Sequence, residues 1–176
     1  MAETTVSIEF DLSLTTDPLG ATLDIAVPDA PGEETRQALL DSAEQTMVGA
    51  QDNLVFQSIQ RAHRQLERYG TRNDYDTDPI EESFSGVDYS RDRTSIHAEW
   101  SWSHETAGYM EFGTSDHTIQ GQPLLVFDFD AGDYPGLAEM FPGETAFLRE
   151  VEVSGLPESR FVRNSLNTLR REVGQS

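Results

Sequence analysis

Apolar and polar residues alternate along the first part of the chain with a period of two. The first alternating run is Val6, Ile8, Phe10, Leu12 and Leu14, and the second contains Leu23, Ile25 and Val27. Asp17-Pro18-Leu19-Gly20 lies between the runs and is rich in turn-forming residues. Because successive side chains of a strand point to opposite faces, the pattern predicts an N-terminal β-hairpin over residues 1–28.

From residue 33 to residue 69 the apolar positions recur every three or four residues, which is the period of an amphipathic helix. One phase contains Leu40, Ala43, Met47, Ala50 and Leu54, and a second contains Val55, Ile59, Ala62, Leu66 and Tyr69. Glu33 and Glu34 open the segment and Gly70 follows it, as expected for the ends of a helix. We predict one long helix over about 33–69, and Gly49 and the change of phase mark its middle as the place for a kink or a split.

The segment from Thr71 to Glu82 is acidic and contains turn-forming residues. Asp74, Asp76 and Asp78 have the spacing that begins a calcium-binding loop, but the glycine and the closing glutamate of that loop are not in register. We therefore predict an acidic loop here.

The chain from Phe84 to Val153 favours strands. Phe84–Tyr89 and Thr94–Trp102 are predicted to form a hairpin in which Ile96, Ala98, Trp100 and Trp102 share one face and His97 and Glu99 the other. Alternation also predicts strands over Pro123–Phe129 and Phe147–Val153, with an irregular loop over Asp130–Glu144 between them.

The C-terminal part is predicted to be helical over about 157–173, because Val162, Leu166, Leu169 and Val173 line one helical face. Together the elements predict an α+β fold with a single domain over residues 1–176. In it, an antiparallel sheet packs against the long helix and the C-terminal helix.

The charge of the chain adds information about its environment. Aspartate and glutamate number 32 against 12 cationic residues, all of them arginine, so the formal net charge is −20. Such a charge opposes compaction in dilute buffer, whereas in molar salt a Debye length of about 3 Å screens the repulsion. We predict a protein from a salt-adapted source. We also predict that it does not bind nucleic acid, since such binding requires clustered cations.

Other features exclude several classes of protein. No apolar run approaches the ~20 residues of a membrane span, Met1-Ala2-Glu3-Thr4 lacks the start of a secretory signal, and there is no cysteine. His104, Asp116 and His117 could form a metal site if strands flanking Tyr109 fold together. The sequence has no serine elbow and no phosphate-binding glycine loop, so we predict no catalytic residues, no metal and no cofactor. A small metal-dependent enzyme using those three residues is the alternative.

The central segment Ala107-Gly108-Tyr109-Met110-Glu111-Phe112-Gly113-Thr114 resembles the signature of the tail-completion (tail-to-head joining, or neck) proteins of long-tailed double-stranded DNA viruses. In that family Glu-Phe-Gly-Thr precedes a loop containing a histidine, which here is His117. An apolar strand at Leu125-Val126-Phe127 and a helix opening at Arg160-Phe161-Val162 follow in the family's order. The motif residues carried over are Tyr109, Glu111, Phe112, Gly113, Thr114 and Phe161.

The resemblance implies a structural virion protein of a tailed virus, here one of a haloarchaeal host. It would cap the tail tube and join the tail to the head as a ring, a hexamer in the family, through which the genome DNA passes without specific binding. The implied partners are copies of the chain, a head-closure or neck protein on one side and the tail tube protein on the other. The implied location is the virion neck, after assembly in the host cytoplasm. Another connector, such as a head-closure protein, a tail terminator or a minor tail protein, is the nearest alternative. The hairpin at 1–28 is extra to the family pattern.

Without the resemblance, the same residues have a purely structural interpretation. Tyr109, Met110 and Phe112 would be strand residues, Gly113 a left-handed turn position and Thr114 a loop cap.

Overall fold

A computed structural model describes residues 6–28 and 30–174, so the Met1-Ala2-Glu3-Thr4 segment and Asp29 lie outside the described residues. The fold is α+β, with helices and antiparallel sheets, as the sequence predicted. The chain divides into two compact units. The main unit contains the described residues up to Gly113 and from Glu158 onward, and the ribbon unit is Thr114–Pro157.

The main unit contains a four-stranded antiparallel sheet with the order β1-β2-β4-β3. Its strands are β1 (Glu9–Thr16), β2 (Leu19–Ala26), β3 (Asp88–Arg91) and β4 (Ser95–Trp102). Leu23 pairs with Ala98 and Ile25 with Ile96, and all four side chains are fully buried. The predicted N-terminal hairpin and the predicted faces of β4 are confirmed. The predicted strand at Phe84–Tyr89 is wrong in extent, because Phe84 forms only an isolated bridge to Trp102 and pairing in β3 begins at Asp88.

The predicted long helix is split in two. Helix α1 (Glu33–Glu44) continues into a π-helical turn (Gln45–Gly49), and α2 (Leu54–Asn73) begins after a break. Asn53 starts α2: its Oδ1 accepts the Phe56 N–H at 2.7 Å, and its Nδ2 donates to the Ala50 carbonyl at 2.6 Å. The change of apolar phase in the sequence therefore reflects two separate helices, the second with its own N-cap.

The prediction of an acidic loop over Thr71–Glu82 is also wrong in part. Helix α2 runs to Asn73, Asp74 takes a left-handed conformation (φ 53°), and a short helix α3 occupies Asp78–Glu82. Ile80 is almost completely buried, so one apolar side chain anchors a segment whose charged residues suggested exposure.

The core of the main unit forms where the sheet meets α2 and the C-terminal helix α6 (Phe161–Gly174). Trp102 contacts Phe161 edge to face at 5.4 Å, and its Nε1 donates to His63 Nε2 of α2 at 3.0 Å. Burial lowers the pKa of His63. Helix α6 starts at Phe161 rather than at the predicted residue 157, because Arg160 has a positive φ of 55°.

Two further helices complete the described elements: α4 (Thr106–Phe112) in the main unit and α5 (Pro135–Met140) in the ribbon unit. The ribbon unit is otherwise an antiparallel pair, β5 (His117–Asp128) and β6 (Thr145–Val153), with an irregularity between Gln120 and Leu125. Strand β5 thus begins six residues before the predicted Pro123, and the segment predicted as an irregular loop contains α5. Among the described helices, none has both the length and the apolar character to cross a membrane.

We predict that the contact between His63 and Trp102 makes stability depend on pH. The folded-state pKa of His63 lies below its unfolded value of about 6.5. The unfolded chain therefore binds the proton more readily. His63 should contribute full stability above about pH 6.5 and lose it as the pH falls below that value. The measurement is the urea midpoint of the wild type against His63→Gln at about pH 7.5 and about pH 5.5.

For His97 we expect the opposite pH dependence of stability, because its hydrogen bond to Asp24 raises its pKa. Its contribution should be present below about pH 6.5 and fade as the pH rises through the raised pKa. Equal pH dependence of the wild type and His63→Gln would contradict the assignment for His63.

Candidate functional site

The Ala107–Thr114 segment is mainly a helix, not the strand that its residues suggested without the resemblance. Helix α4 covers Thr106–Phe112 and buries Ala107, Met110 and Glu111. These positions have the i, i+3, i+4 spacing of one helical face. Tyr109 and Phe112 lie on the exposed side of this helix. The interpretation of Tyr109, Met110 and Phe112 as strand residues is therefore wrong.

Glu111 is a fully buried carboxylate, with 0% of its surface exposed. One of its carboxylate oxygens accepts the backbone N–H of Val162 at 2.8 Å. The other accepts the backbone N–H of Arg163 at 3.1 Å and its side-chain Nε–H at 2.7 Å. Because the first N–H groups of a helix have no partner inside the helix, Glu111 satisfies donors of α6 that would otherwise be buried without one. Its negative charge also lies at the positive end of the helix dipole.

The backbone of α4 continues the same junction. The Ser159 N–H donates to the Met110 carbonyl at 2.8 Å, and the Arg160 N–H donates to the Glu111 carbonyl at 3.2 Å. Four backbone N–H groups, those of residues 159, 160, 162 and 163, thus donate to the C-terminal end of α4, the last two through the Glu111 carboxylate. The junction fixes where α6 begins.

Arg163 completes the junction and was missed in the sequence. Its Nη2 donates to the Glu111 carbonyl at 2.7 Å and to the Glu158 carboxylate at 3.0 Å, and its guanidinium lies 4.8 Å from the centre of the Phe112 ring. Partial burial opposes the charge, but the hydrogen bonds to Glu111 and Glu158 outweigh it and raise the pKa of Arg163. Arg163 lies in the first turn of α6, where cations are unfavourable unless paired, but the predicted start at residue 157 placed it in the second turn.

The other motif residues have distinct positions. Phe161 is buried against Trp102, whereas Tyr109 is 58% exposed and Phe112 is partly exposed. The structure thus brings Glu111, Phe112 and Phe161 together around the start of α6. It leaves the Tyr109 side chain on the surface.

Gly113 ends α4 with φ 72° and ψ 171°. This region of backbone conformation is essentially restricted to glycine, so Gly113 has the positive φ of the predicted turn position but not the ψ of a left-handed turn. The N–H of Gly113 donates to the Tyr109 carbonyl at 2.8 Å and closes the helix.

Thr114 opens the ribbon unit and holds the base of the ribbon together. Its N–H donates to the Leu156 carbonyl at 2.8 Å, and its Oγ1 accepts the Leu156 N–H at 2.9 Å. The Asp116 carboxylate accepts the Gly155 N–H at 2.7 Å. A β-carbon on Gly155 would lie 2.0 Å from the Thr114 carbonyl oxygen, so only glycine permits this approach. Thr114 was predicted to cap a loop; instead, its hydrogen bonds to Leu156 join the two ends of the ribbon unit.

His104, Asp116 and His117 have separate partners. His104 Nδ1 lies 2.8 Å from Thr106 Oγ1, Asp116 bonds to Gly155, and His117 Nδ1 lies 3.1 Å from the Ser115 carbonyl. Within residues 6–28 and 30–174, no group of three or more histidine, aspartate or glutamate side chains is arranged to hold a metal ion.

No protein-family model, no curated protein and no solved structure matches this chain. The interpretation of the junction therefore depends on its geometry. The Glu111 carboxylate binds the backbone and side-chain donors at the start of α6, so the geometry assigns Glu111 a positioning role between α4 and α6.

We predict that Glu111→Ala destabilises the main unit by about 3 kcal/mol, because it leaves Arg163 and two backbone donors of α6 without their buried partner. Urea unfolding in molar salt measures the change in the free energy of unfolding. Glu158→Ala is the matched control, since it removes a half-exposed carboxylate that bonds the same arginine. That control should cost less than about 1 kcal/mol. Equal effects of the two substitutions would contradict the role given to Glu111.

We further predict that Gly113→Ala costs about 1–3 kcal/mol, because alanine is strained at the φ and ψ of this residue. Gly108→Ala is the control: Gly108 lies inside α4, where an added β-carbon meets open space. That change should stabilise the helix by up to about 1 kcal/mol. The same unfolding experiment compares both variants, and a neutral Gly113→Ala would exclude strain at this position.

Proposed function

We propose that this chain is a structural virion connector of a tailed virus from a salt-adapted host. It would act in the neck as a tail-completion protein that assembles with copies of itself into a ring around the DNA channel. The motif resemblance supplies the specific role. The observation that carries the connector role is the incomplete ribbon unit.

The ribbon unit contains only two strands, β5 and β6. In the part of the chain that the structure describes, each of these strands therefore has one edge without a partner strand. An isolated two-stranded hairpin is at best marginally stable in water. Natural proteins protect such edges by covering them or pairing them with another chain. An oligomer offers that protection through neighbouring copies.

One face of the ribbon is apolar and exposed. Val126 and Phe147 are directly opposite each other in the register, so their side chains share a face, and they are 60% and 53% exposed. Leu124, in the irregular part of β5, is also exposed. Exposed apolar surface of this kind is typical of a site of protein contact. We assign this face, defined by Val126 and Phe147, to the contact between neighbouring copies.

A ring requires heterologous contacts, in which two different surfaces of the same chain meet. The acidic surface suits a ring around DNA, because a net charge of −20 offers the genome little attraction and lets it slide. Molar salt would screen the repulsion between the acidic copies.

The test is the mass of the assembled species in molar salt, measured by sedimentation velocity over a range of protein concentrations and compared with electron microscopy of the particles. We expect the wild type to form closed rings. Val126→Asp should shift the protein to the monomer, because it places a charge in the apolar contact. Circular dichroism would verify that the variant is folded.

Gln122→Asp is the matched control, since Gln122 is an exposed polar residue in the irregular part of β5 and the substitution adds the same charge. It should assemble like the wild type. A wild type that stays monomeric at every concentration in molar salt would contradict the proposal.

A further inference from the structure

One face of α2 collects a third of the cations of the chain. Arg61, Arg64, Arg68 and Arg72 follow one another at intervals of three or four residues, which places them within about 80° of the helix circumference. Arg61 is bound by Glu172 of α6 in a two-bond ion pair, at 2.6 and 3.0 Å. In the part of the chain that the structure describes, the exposed Arg64, Arg68 and Arg72 make no ion pair. Three free cations on one face are conspicuous in a chain with 32 carboxylates.

These arginines border an open groove of about 470 Å³ between α2 and α6. Its floor and opposite wall are polar, and they include Gln65, Ser159, Asn164, Ser165 and Thr168. We call this surface the arginine groove. The carboxylate of Glu158 also lines it, but that carboxylate bonds Arg163 at 3.0 Å.

Ser159, on the lining of the groove, has an unmet hydrogen-bonding capacity. The residue is only 8% exposed, and its Oγ has no hydrogen-bond partner among the described residues. A buried hydroxyl without a partner costs about 1–3 kcal/mol. Because this oxygen is itself buried, a carboxylate in the groove would accept its hydrogen bond only after the Ser159 side chain rotates.

We propose that the arginine groove receives the acidic tip of the ribbon, residues 128–144, from a neighbouring copy of this chain. This inference rests on the proposed ring. It identifies the two different surfaces that a heterologous contact requires. Within residues 128–144 there is no arginine, and the carboxylates are Asp128, Asp130, Asp133, Glu139 and Glu144. None of the five makes an ion pair in the described part of the chain.

The tip also offers exposed apolar surface. Tyr134 and Met140 are among the most exposed large apolar side chains of the described residues. The planar guanidinium of arginine stacks flat on aromatic faces and bonds a carboxylate through two parallel N–H groups, a geometry that the ammonium of lysine does not have. Charge and apolar contact can therefore be satisfied together at this interface.

Direct hydrogen bonds between arginine and carboxylate also suit molar salt. Screening removes long-range attraction beyond about 3 Å, whereas direct N–H to carboxylate bonds of about 2.7–2.9 Å leave no room for intervening ions. The groove should therefore act after contact, in fixing the register between copies, rather than in attracting them from a distance.

The test reverses the charges on the two surfaces separately and then together. Arg64→Glu with Arg68→Glu alters the groove, and Asp133→Arg with Glu139→Arg alters the tip. Each pair should raise the protein concentration for half-maximal ring assembly roughly tenfold or more, because like charges then meet across the interface. The combined variant restores opposite charges and the original net charge, so its assembly should return to within about threefold of the wild type.

Arg93→Glu controls for added negative charge, because Arg93 is an exposed arginine outside the groove. If the groove variant assembles into rings as readily as the wild type, this inference is wrong and the proposed ring still stands. The same conclusion follows if the combined variant assembles no better than either pair of substitutions alone. Loss of binding to a fluorescent DNA duplex in a groove variant that still assembles would overturn it in favour of a nucleic-acid site. A wild type without rings would remove both proposals.

Discussion

The buried carboxylate of Glu111 is the constraint on which the main unit depends. Taking a carboxylate out of water costs several kcal/mol unless hydrogen bonds replace its hydration, and here two backbone N–H groups and the Arg163 side chain replace it. The observed placement of α4 against the start of α6 meets that requirement. Helix α6 in turn supplies Phe161, Val162, Leu166 and Leu169 to the core, so the sheet, α2 and α6 meet in the arrangement that this junction sets. Apolar packing alone would tolerate small shifts of α6, whereas short hydrogen bonds to a fixed carboxylate would not.

Sequence reasoning succeeded where burial follows a local period and failed where a contact joins distant residues. The alternation in β2 and β4 identified the buried faces because each strand has one face on the core. Gly49 and the change of apolar phase indicated a split in the long helix, but not the residue at which the second helix begins, which the side-chain cap of Asn53 sets. The role of Glu111 could not be read at all, since its partners Val162 and Arg163 are about fifty residues away. In the site, Gly113 was predicted from its residue type, and Arg163 was not.

The composition of the chain indicates the salt content of its environment, but not how charge is distributed over its surface. A net charge of −20 suggested a uniformly acidic molecule, and most of its charges do behave as a solvated exterior. However, the arginines are not spread evenly. Arg163 and Arg61 are engaged in the junctions of α6, while Arg64, Arg68 and Arg72 form the border of one groove. In a chain without lysine, each unpaired arginine interrupts the acidic surface. A cluster of such arginines is therefore a local site at which an acidic segment can bind.

The two units differ in what stabilises them, and this difference bears on how the proposed connector would work. The main unit buries a core of large apolar side chains, including Trp102, Phe161 and Leu166, and fixes its helices with the Glu111 junction. The ribbon unit has one strand pair, and Val126 and Phe147 remain largely exposed on it. A partner that covers these residues would stabilise the ribbon by mass action, because it binds the ordered form and not the disordered one. Assembly and ordering of the ribbon would then be one coupled equilibrium. The main unit would stay folded throughout, and the contact between copies would form only where enough of them are brought together.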